Sequence, residues 1–214
     1  MLQYQIIPVT PFQQNCTLLW DDQTHEAVLI DAGGDVERLN QAVQARGLKL
    51  VALWLTHGHL DHVGGVGRLA REHGVPVIGP HRADQFWLDG IQMQAQMFRF
   101  APPEPVRVTQ WLDQGDTLQL GEHTFAVRHA PGHTPGSVLI HSAELGLLWT
   151  GDVLFVGSIG RTDFPQGNLE QLLASIRREV FSLPEDTRFI SGHGPMGTVG
   201  EEKRSNPFVS GRFG

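Results

Sequence analysis

The stretch Thr56-His57-Gly58-His59-Leu60-Asp61-His62 sets three imidazoles and a carboxylate within six consecutive residues. Neutral imidazole and carboxylate are the ligands that zinc and similar divalent ions take, at about 2.0 to 2.2 Å. No packing or hydrogen-bonding need of a core calls for four such groups together. The competing reading is a polar, His-rich surface loop in a chain with 11 histidines. Three isolated candidates stand where strands should meet loops: His133 in Ala130-Pro131-Gly132-His133-Thr134-Pro135-Gly136, Asp152 in Thr150-Gly151-Asp152, and His193 in Ser191-Gly192-His193-Gly194-Pro195. Taken singly, each is an ordinary turn residue beside glycine and proline. His25, His73, His81, His123, His129 and His141 read as surface or packing residues.

The elements around the cluster favour a site. Residues 50–55 form a continuous apolar run of strand length, as in a strand covered on both faces. Val63, Val66, Leu69 and Ala70 then recur at helical spacing until Gly74, with Pro76 beyond. The cluster therefore falls in a strand-to-helix turn, where α/β sheets bind ligands. Residues 2–8, 15–20 and 27–30 predict a β-meander. Asp35 reads as the N-cap of a helix with Val36, Leu39, Ala42 and Val43 on one face, ending at Gly47. Asp31 reads first as a turn residue; the alternative is a carboxylate that orients a ligand imidazole. A short strand is expected at 75–78, and 82–100 reads as core packing in preference to a loop over the site. Residues 101–105 are linker-like. Strands at 117–120 and 123–128 are joined by Gly121-Glu122, glycine first, as in a primed type II turn. Further strands are expected at 138–141 and 145–149. A final helix starts at Asn168, with Gln171 in capping-box position, and stops before Pro184. The segments ending at Asp31 and at Asp152 are alike in character, which fits two related halves facing each other.

With 214 residues and 40% hydrophobic content, one domain over 1–214 is expected. A formal charge of −7 argues against a nucleic-acid backbone or an anionic membrane as partner. The one cysteine, Cys16, has no internal disulfide partner and sits in a strand-like stretch, so it reads as a reduced structural thiol and the compartment as cytoplasmic. Residues 1–14 show neither a signal peptide nor a membrane span.

The ordered motifs His-x-His-x-Asp-His, Pro-Gly-His-Thr-x-Gly, Thr-Gly-Asp and Gly-His-Gly-Pro resemble the metallo-β-lactamase superfamily over essentially the whole chain. The resemblance implies an α/β fold, the four-layer αβ/βα sandwich of two mixed sheets with helices outside and the site at one edge. It implies that His57, His59 and His133 hold a first metal, that Asp61, His62 and His193 hold a second, and that Asp152 bridges them. Within the superfamily the chain most resembles glyoxalase II (hydroxyacylglutathione hydrolase) of the short bacterial type, on residues 56–62, Gly160-Arg161-Thr162-Asp163-Phe164 and Arg204-Ser205-Asn206-Pro207-Phe208. β-Lactamases of the cysteine-ligand type differ: they carry arginine where His62 stands and a cysteine ligand later than Cys16.

That resemblance implies hydrolysis of a small-molecule glutathione thioester, S-D-lactoylglutathione, with two divalent ions. Zinc is the expectation, and the ligand set also accepts iron or manganese. Two such ions close together acidify water and take up negative charge on a carbonyl oxygen. A thiolate of intrinsic pKa about 8.5 leaves without a strong general acid. Asp61 is expected to help steer the attacking water. The long form of glyoxalase II appends a helical glutathione-binding domain that is not expected here. The glutathione carboxylates would then fall to Arg161, Lys203 and Arg204, with weak substrate binding. Two rivals keep the fold: a persulfide dioxygenase with one iron on two histidines and an aspartate, which 160–164 also resembles, and a metallo-hydrolase of another ester or lactone.

Overall fold

Strands of the first half alternate their side chains between two apolar environments, and that alternation sets the layers. The computed structural model describes residues 1–210. β1 (Leu2–Val9), β2 (Gln14–Asp21) and β3 (Glu26–Ile30) form the antiparallel meander. Helix α1 (Val36–Gln44) crosses over to β4 (Lys49–Trp54), parallel to β3. Helices α2 (Leu60–Val63) and α3 (Val66–His73) then lead to β5 (Val77–Ile78), completing a mixed sheet in the order β1-β2-β3-β4-β5.

After α4 (Gln85–Asp89) and α5 (Ile91–Phe98) the chain builds a second sheet from β6 (Thr117–Leu120), β7 (His123–His129), β8 (Val138–Ser142) and β9 (Leu147–Gly151). A small hairpin of β10 (Leu154–Phe155) and β11 (Ser158–Ile159) comes next. Helix α6 (Leu169–Ser175), continued by a π turn over Ile176–Val180, crosses over to β12 (Arg188–Ser191), parallel to β9. β13 (Gly197–Thr198) closes the edge before α7 (Val199–Ser205), and the order is β13-β12-β9-β8-β7-β6.

In β3, Ala27 and Leu29 face α1 and α3, whereas Val28 and Ile30 face the other sheet. Leu147 and Trp149 of β9 meet them there, while Leu148 points outward to Leu172 and Ile176. This period of two produces helix, sheet, sheet and helix in succession. Trp54 and Phe125 lock the two sheets edge to face at 5.1 Å. Each large side chain buried there contributes about 1.5 to 3 kcal/mol. The architecture is thus the αβ/βα sandwich, and the helices on its outer faces leave one edge free for loops.

Several local expectations change. Asp35 precedes α1 but adopts a left-handed conformation (φ 47°) and does not cap it; its carboxylate accepts instead from the Thr10 amide at 2.9 Å, tying α1 to the β1–β2 turn. The helix expected from Val63 to Gly74 breaks at Gly64-Gly65, because the Gly65 amide donates to the Ala32 carbonyl and the chains approach too closely for a Cβ. Residues 82–100 divide: Leu88, Ile91 and Ala95 pack in the core, but Met93, Met97 and Phe98 are exposed. Asn168 does cap α6, accepting from the Gln171 amide at 2.9 Å, yet α6 is not the last helix. α7 is short and rich in charge, so its sequence carries little periodic signal. Among the described residues no helix is long and apolar enough to cross a membrane.

Candidate metal centre

The candidate ligands all lie just beyond the carboxyl ends of strands. The loop after β4 supplies His57 and His59, and α2, which follows it directly, supplies Asp61 and His62; the loops after β7, β9 and β12 supply His133, Asp152 and His193. Strand pairs β3/β4 and β9/β12 are parallel, so two strand ends of each sheet open on the same edge and their loops meet.

The seven side chains converge. His57 Nε2 and His133 Nε2 lie 3.1 and 3.0 Å from His59 Nδ1. Asp61 Oδ2 lies 3.0 Å from His193 Nε2 and 3.8 Å from His62 Nε2. Asp152 stands between the two groups, with Oδ1 3.2 Å from His62 Nε2 and Oδ2 3.7 Å from both His133 Nε2 and His193 Nε2. Gly192 is required beside them, since a Cβ there would collide with Asp152 Oδ1 and the His62 ring.

Hydrogen bonds on the far side of the rings decide which nitrogens face inward. His133 Nδ1 donates to the Arg161 carbonyl at 2.7 Å, His193 Nδ1 to the Phe12 carbonyl at 3.1 Å, and His62 Nδ1 to Asp31 Oδ2 at 2.8 Å. Each of these rings therefore turns its Nε2 toward the centre. His62 Nε2 and Asp152 Oδ1 are buried there without a hydrogen-bond partner. Imidazole nitrogens and carboxylates crowded face to face around one centre are what a pair of cations satisfies, so the residues present fit divalent metal ions. The arrangement supplies two triads, His57/His59/His133 and Asp61/His62/His193. A third grouping, Asp31 with His57 and His62, also meets the distance condition. The Asp31 carboxylate is already filled by the Thr56 amide (2.8 Å), the Thr56 hydroxyl (2.6 Å) and His62. It orients His62, the second of the two roles that its sequence position leaves open.

Burial, with the neighbouring imidazoles, drives the proton affinities of His57 and His59 down, His59 to about 3. Burial also lowers His133. These three rings are neutral near pH 7 and free to act as ligands. For His62 burial works the same way, but Asp152, Asp61 and Asp31 overcome it and raise the ring well above its ordinary value. Burial also opposes ionisation of Asp152, yet the surrounding imidazoles hold it below the usual carboxylate range.

Two further side chains support the loops, and nothing in their sequence setting marks them. The buried Asp84 carboxylate accepts from the Gly58 amide (2.8 Å), the Thr134 hydroxyl (2.8 Å) and the Gly136 amide (2.6 Å). Gln94 accepts from the Leu60 amide at 2.9 Å and donates to the Trp87 carbonyl at 2.8 Å. No local pattern could find them, because the loops they hold lie far away along the chain.

Above the cluster opens a cavity of about 720 Å³ with His59, Asp61, His133, Asp152 and His193 in its floor. Arg161 reaches its wall, but the guanidinium is engaged by Asp163 at 2.8 and 2.7 Å and lies over the Phe164 ring. Lys203 and Arg204 are not brought to the cavity. Both lie on α7, where Arg204 pairs with Glu185 at 2.7 Å and Lys203 lies 3.9 Å from it. The end of α7 holds the β10–β11 hairpin through the buried Glu202, which accepts from the Gly157 amide and from Asn206, and through Asn206, which donates to the Ser158 carbonyl.

Fold and ligand set define a class, and the Metallo-beta-lactamase superfamily model matches residues 9–193: the chain belongs to that superfamily. It is an enzyme fold with the His/Asp centre of a metallo-hydrolase. Among named relatives, the hydroxyacylglutathione hydrolase GloC of Haemophilus influenzae is 45% identical over 99% of this chain and 100% of its own length. Among solved structures, the BLEG-1 B3 metallo-beta-lactamase superposes with a TM-score of 0.90 at 38% identity, covering 98% of this chain and 100% of that one. TTHA1623 in a di-iron-bound form gives 0.87 at 38% identity, covering 96% and 100%.

Proposed function

We propose that the protein hydrolyses thioesters in the manner of glyoxalase II, taking S-D-lactoylglutathione to D-lactate and glutathione. The observation that carries this reading is the convergence of seven ligand side chains, in two triads joined by Asp152, under a cavity open to substrate. The kinship with a hydroxyacylglutathione hydrolase supports the choice of thioester. His57, His59 and His133 would hold one ion, Asp61, His62 and His193 the other, and Asp152 both. Zinc, iron and manganese all suit this set, and the similarity to TTHA1623 in a di-iron-bound form supports keeping iron beside zinc. When bound, the ions supply Lewis acidity and lower the pKa of water.

The rest is done by the chain. Asp61 stands at the cavity floor, partly exposed and 3.0 Å from His193, where its carboxylate can orient the attacking water. The outward hydrogen bonds of His62, His133 and His193 fix their rings, so no reorientation is needed during reaction. Arg161 is the cation at the cavity wall for a glutathione carboxylate, shared with Asp163, which agrees with weak binding of the thiol portion. The buried, unpaired Cys16 suits a reducing, cytoplasmic compartment.

The test is elemental analysis of purified protein beside release of free thiol from S-D-lactoylglutathione. Two metals per chain with thiol release agree with the proposal. One iron, with oxygen uptake on a glutathione persulfide and no thioester cleavage, refutes it. The likeness to BLEG-1 makes a β-lactam the second substrate to assay.

A further inference from the structure

Among the described residues eight large apolar side chains are exposed, and five of them, Phe12, Met93, Met97, Phe98 and Val156, line the one cavity above the metal centre. Such a concentration is not what scattered surface hydrophobics give. The five come from three separate places: the β1–β2 turn, α5 and the β10–β11 hairpin. Phe12 packs on Phe98 and Phe100 at 5.6 and 5.3 Å, so the turn and α5 make a continuous wall. Met93 and Met97 are 69% and 71% exposed, leaving two flexible thioethers free to close over an apolar group. Among the described residues Arg161 is the only lysine or arginine in the lining, and Asp163 already holds it. The cavity thus has a polar floor for a reacting carbonyl and an apolar wall larger than a lactoyl group can cover.

We propose that this wall is an acyl subsite, and that the protein hydrolyses thioesters of unbranched aliphatic acids of medium length with higher kcat/KM than lactoylglutathione. This rests on the thioester reading of the same site. In the reaction the water oxygen bonds to the carbonyl carbon and the C–S bond breaks. The thiolate leaves with the electron pair and takes one proton of the water; the other goes with the carboxylic acid. No oxidant or second substrate is needed.

Non-hydrolysable S-alkylglutathiones test the subsite apart from catalysis. Calorimetric titration of the metal-loaded chain with the S-methyl, S-butyl and S-hexyl compounds should show affinity rising about two- to four-fold per methylene; the upper figure corresponds to about 0.8 kcal/mol for full burial. Hexanoylglutathione should be cleaved with kcat/KM at least about ten-fold above lactoylglutathione, given three further carbons buried. The double variant Met93→Ser/Met97→Ser alters exposed positions and should flatten the alkyl slope by half or more; Val156→Asp, on the facing hairpin, should do the same. Equal affinity along the series, or an unchanged slope in both variants, overturns the proposal. So does a dimer in sedimentation velocity that Met97→Ser dissociates, since the wall would then be an interface between copies. Lactoylglutathione cleavage without an alkyl slope overturns the acyl subsite alone, whereas a clear slope with no thioester cleavage overturns the hydrolase reading and keeps the apolar ligand site.

Discussion

Replacing Asp84 by asparagine should separate stability from activity. One carboxylate there ties Gly58, between His57 and His59, to Thr134 and Gly136, in the turn that begins at His133. Asparagine keeps the shape, and its carbonyl can still serve the Gly58 amide and the Thr134 hydroxyl, which share Oδ2. Its NH₂ then faces the Gly136 amide, donor against donor, and the two cannot shift past each other because the Gly136 backbone is already in contact with Asp84. Two buried donors left facing each other, with no acceptor for either, cost about 2 to 4 kcal/mol. Against that, burial pushes the Asp84 carboxyl up to about 6, its three donors offsetting only part of the desolvation. Keeping it ionised at pH 7.5 costs about 3 kcal/mol, which the variant escapes. The two effects nearly cancel, so global stability should change by no more than about 1 kcal/mol. The repulsion at the Gly136 amide, however, displaces the turn that begins at His133, and metal affinity or kcat should fall about 10- to 100-fold.

The pH dependence gives an independent check. The folded-state value lies above that of the unfolded chain, so between pH 7.5 and 5 the folded wild type takes up a proton that the unfolded chain does not. Stability from this group therefore rises as pH falls and is lost as pH rises through about 6. Urea unfolding of chelator-treated protein should show wild type gaining about 1.4 kcal/mol on Asp84→Asn over that interval. Wild-type kcat and metal content in the variant would refute the anchoring role. A stability change at pH 7.5 well beyond about 1 kcal/mol, or parallel pH curves, would refute the balance of terms.

Asp31→Ala removes the acceptor that orients His62, and metal at the Asp61/His62/His193 triad should weaken about 10- to 100-fold, read by elemental analysis after dialysis. Chelation of both ions should lower Tm by about 10 to 20 °C, since each ion at 100 times its Kd stabilises by about 2.7 kcal/mol; readdition should restore it. Lys203→Ala/Arg204→Ala should leave kcat/KM within about two-fold and cost under about 1 kcal/mol, because both cations pair with Glu185 on an exposed helix face. Arg161→Ala should raise KM about five-fold with kcat unchanged, the weight of one exposed charge-assisted contact of about 1 kcal/mol.

The meander, the apolar strands at 50–55 and 147–149, and the capped helix at Asn168 are legible because burial on a strand or helix face is written locally, at a period of two or of 3.6. Asp35 is not, because a capping residue and an Asp in a left-handed turn look the same in sequence; only the Thr10 amide, 25 positions away, decides between them. The assignment of Lys203 and Arg204 to glutathione rests on charge and motif position alone. Sequence cannot say which side of α7 faces the cavity, and the helix turns Glu202 inward.

Residue order alone specifies the chemistry on offer: four donor groups in one strand-to-helix turn and three more, each beside glycine where a strand gives way to a loop. It takes the packed chain to establish that the seven share a centre, that Asp31, Asp84 and Gln94 hold them, and that the wall above is apolar. The reason is physical. Ligand types and faces are set by near neighbours along the chain, whereas convergence depends on how two sheets pack through side chains such as Trp54 and Phe125, joined by no local pattern.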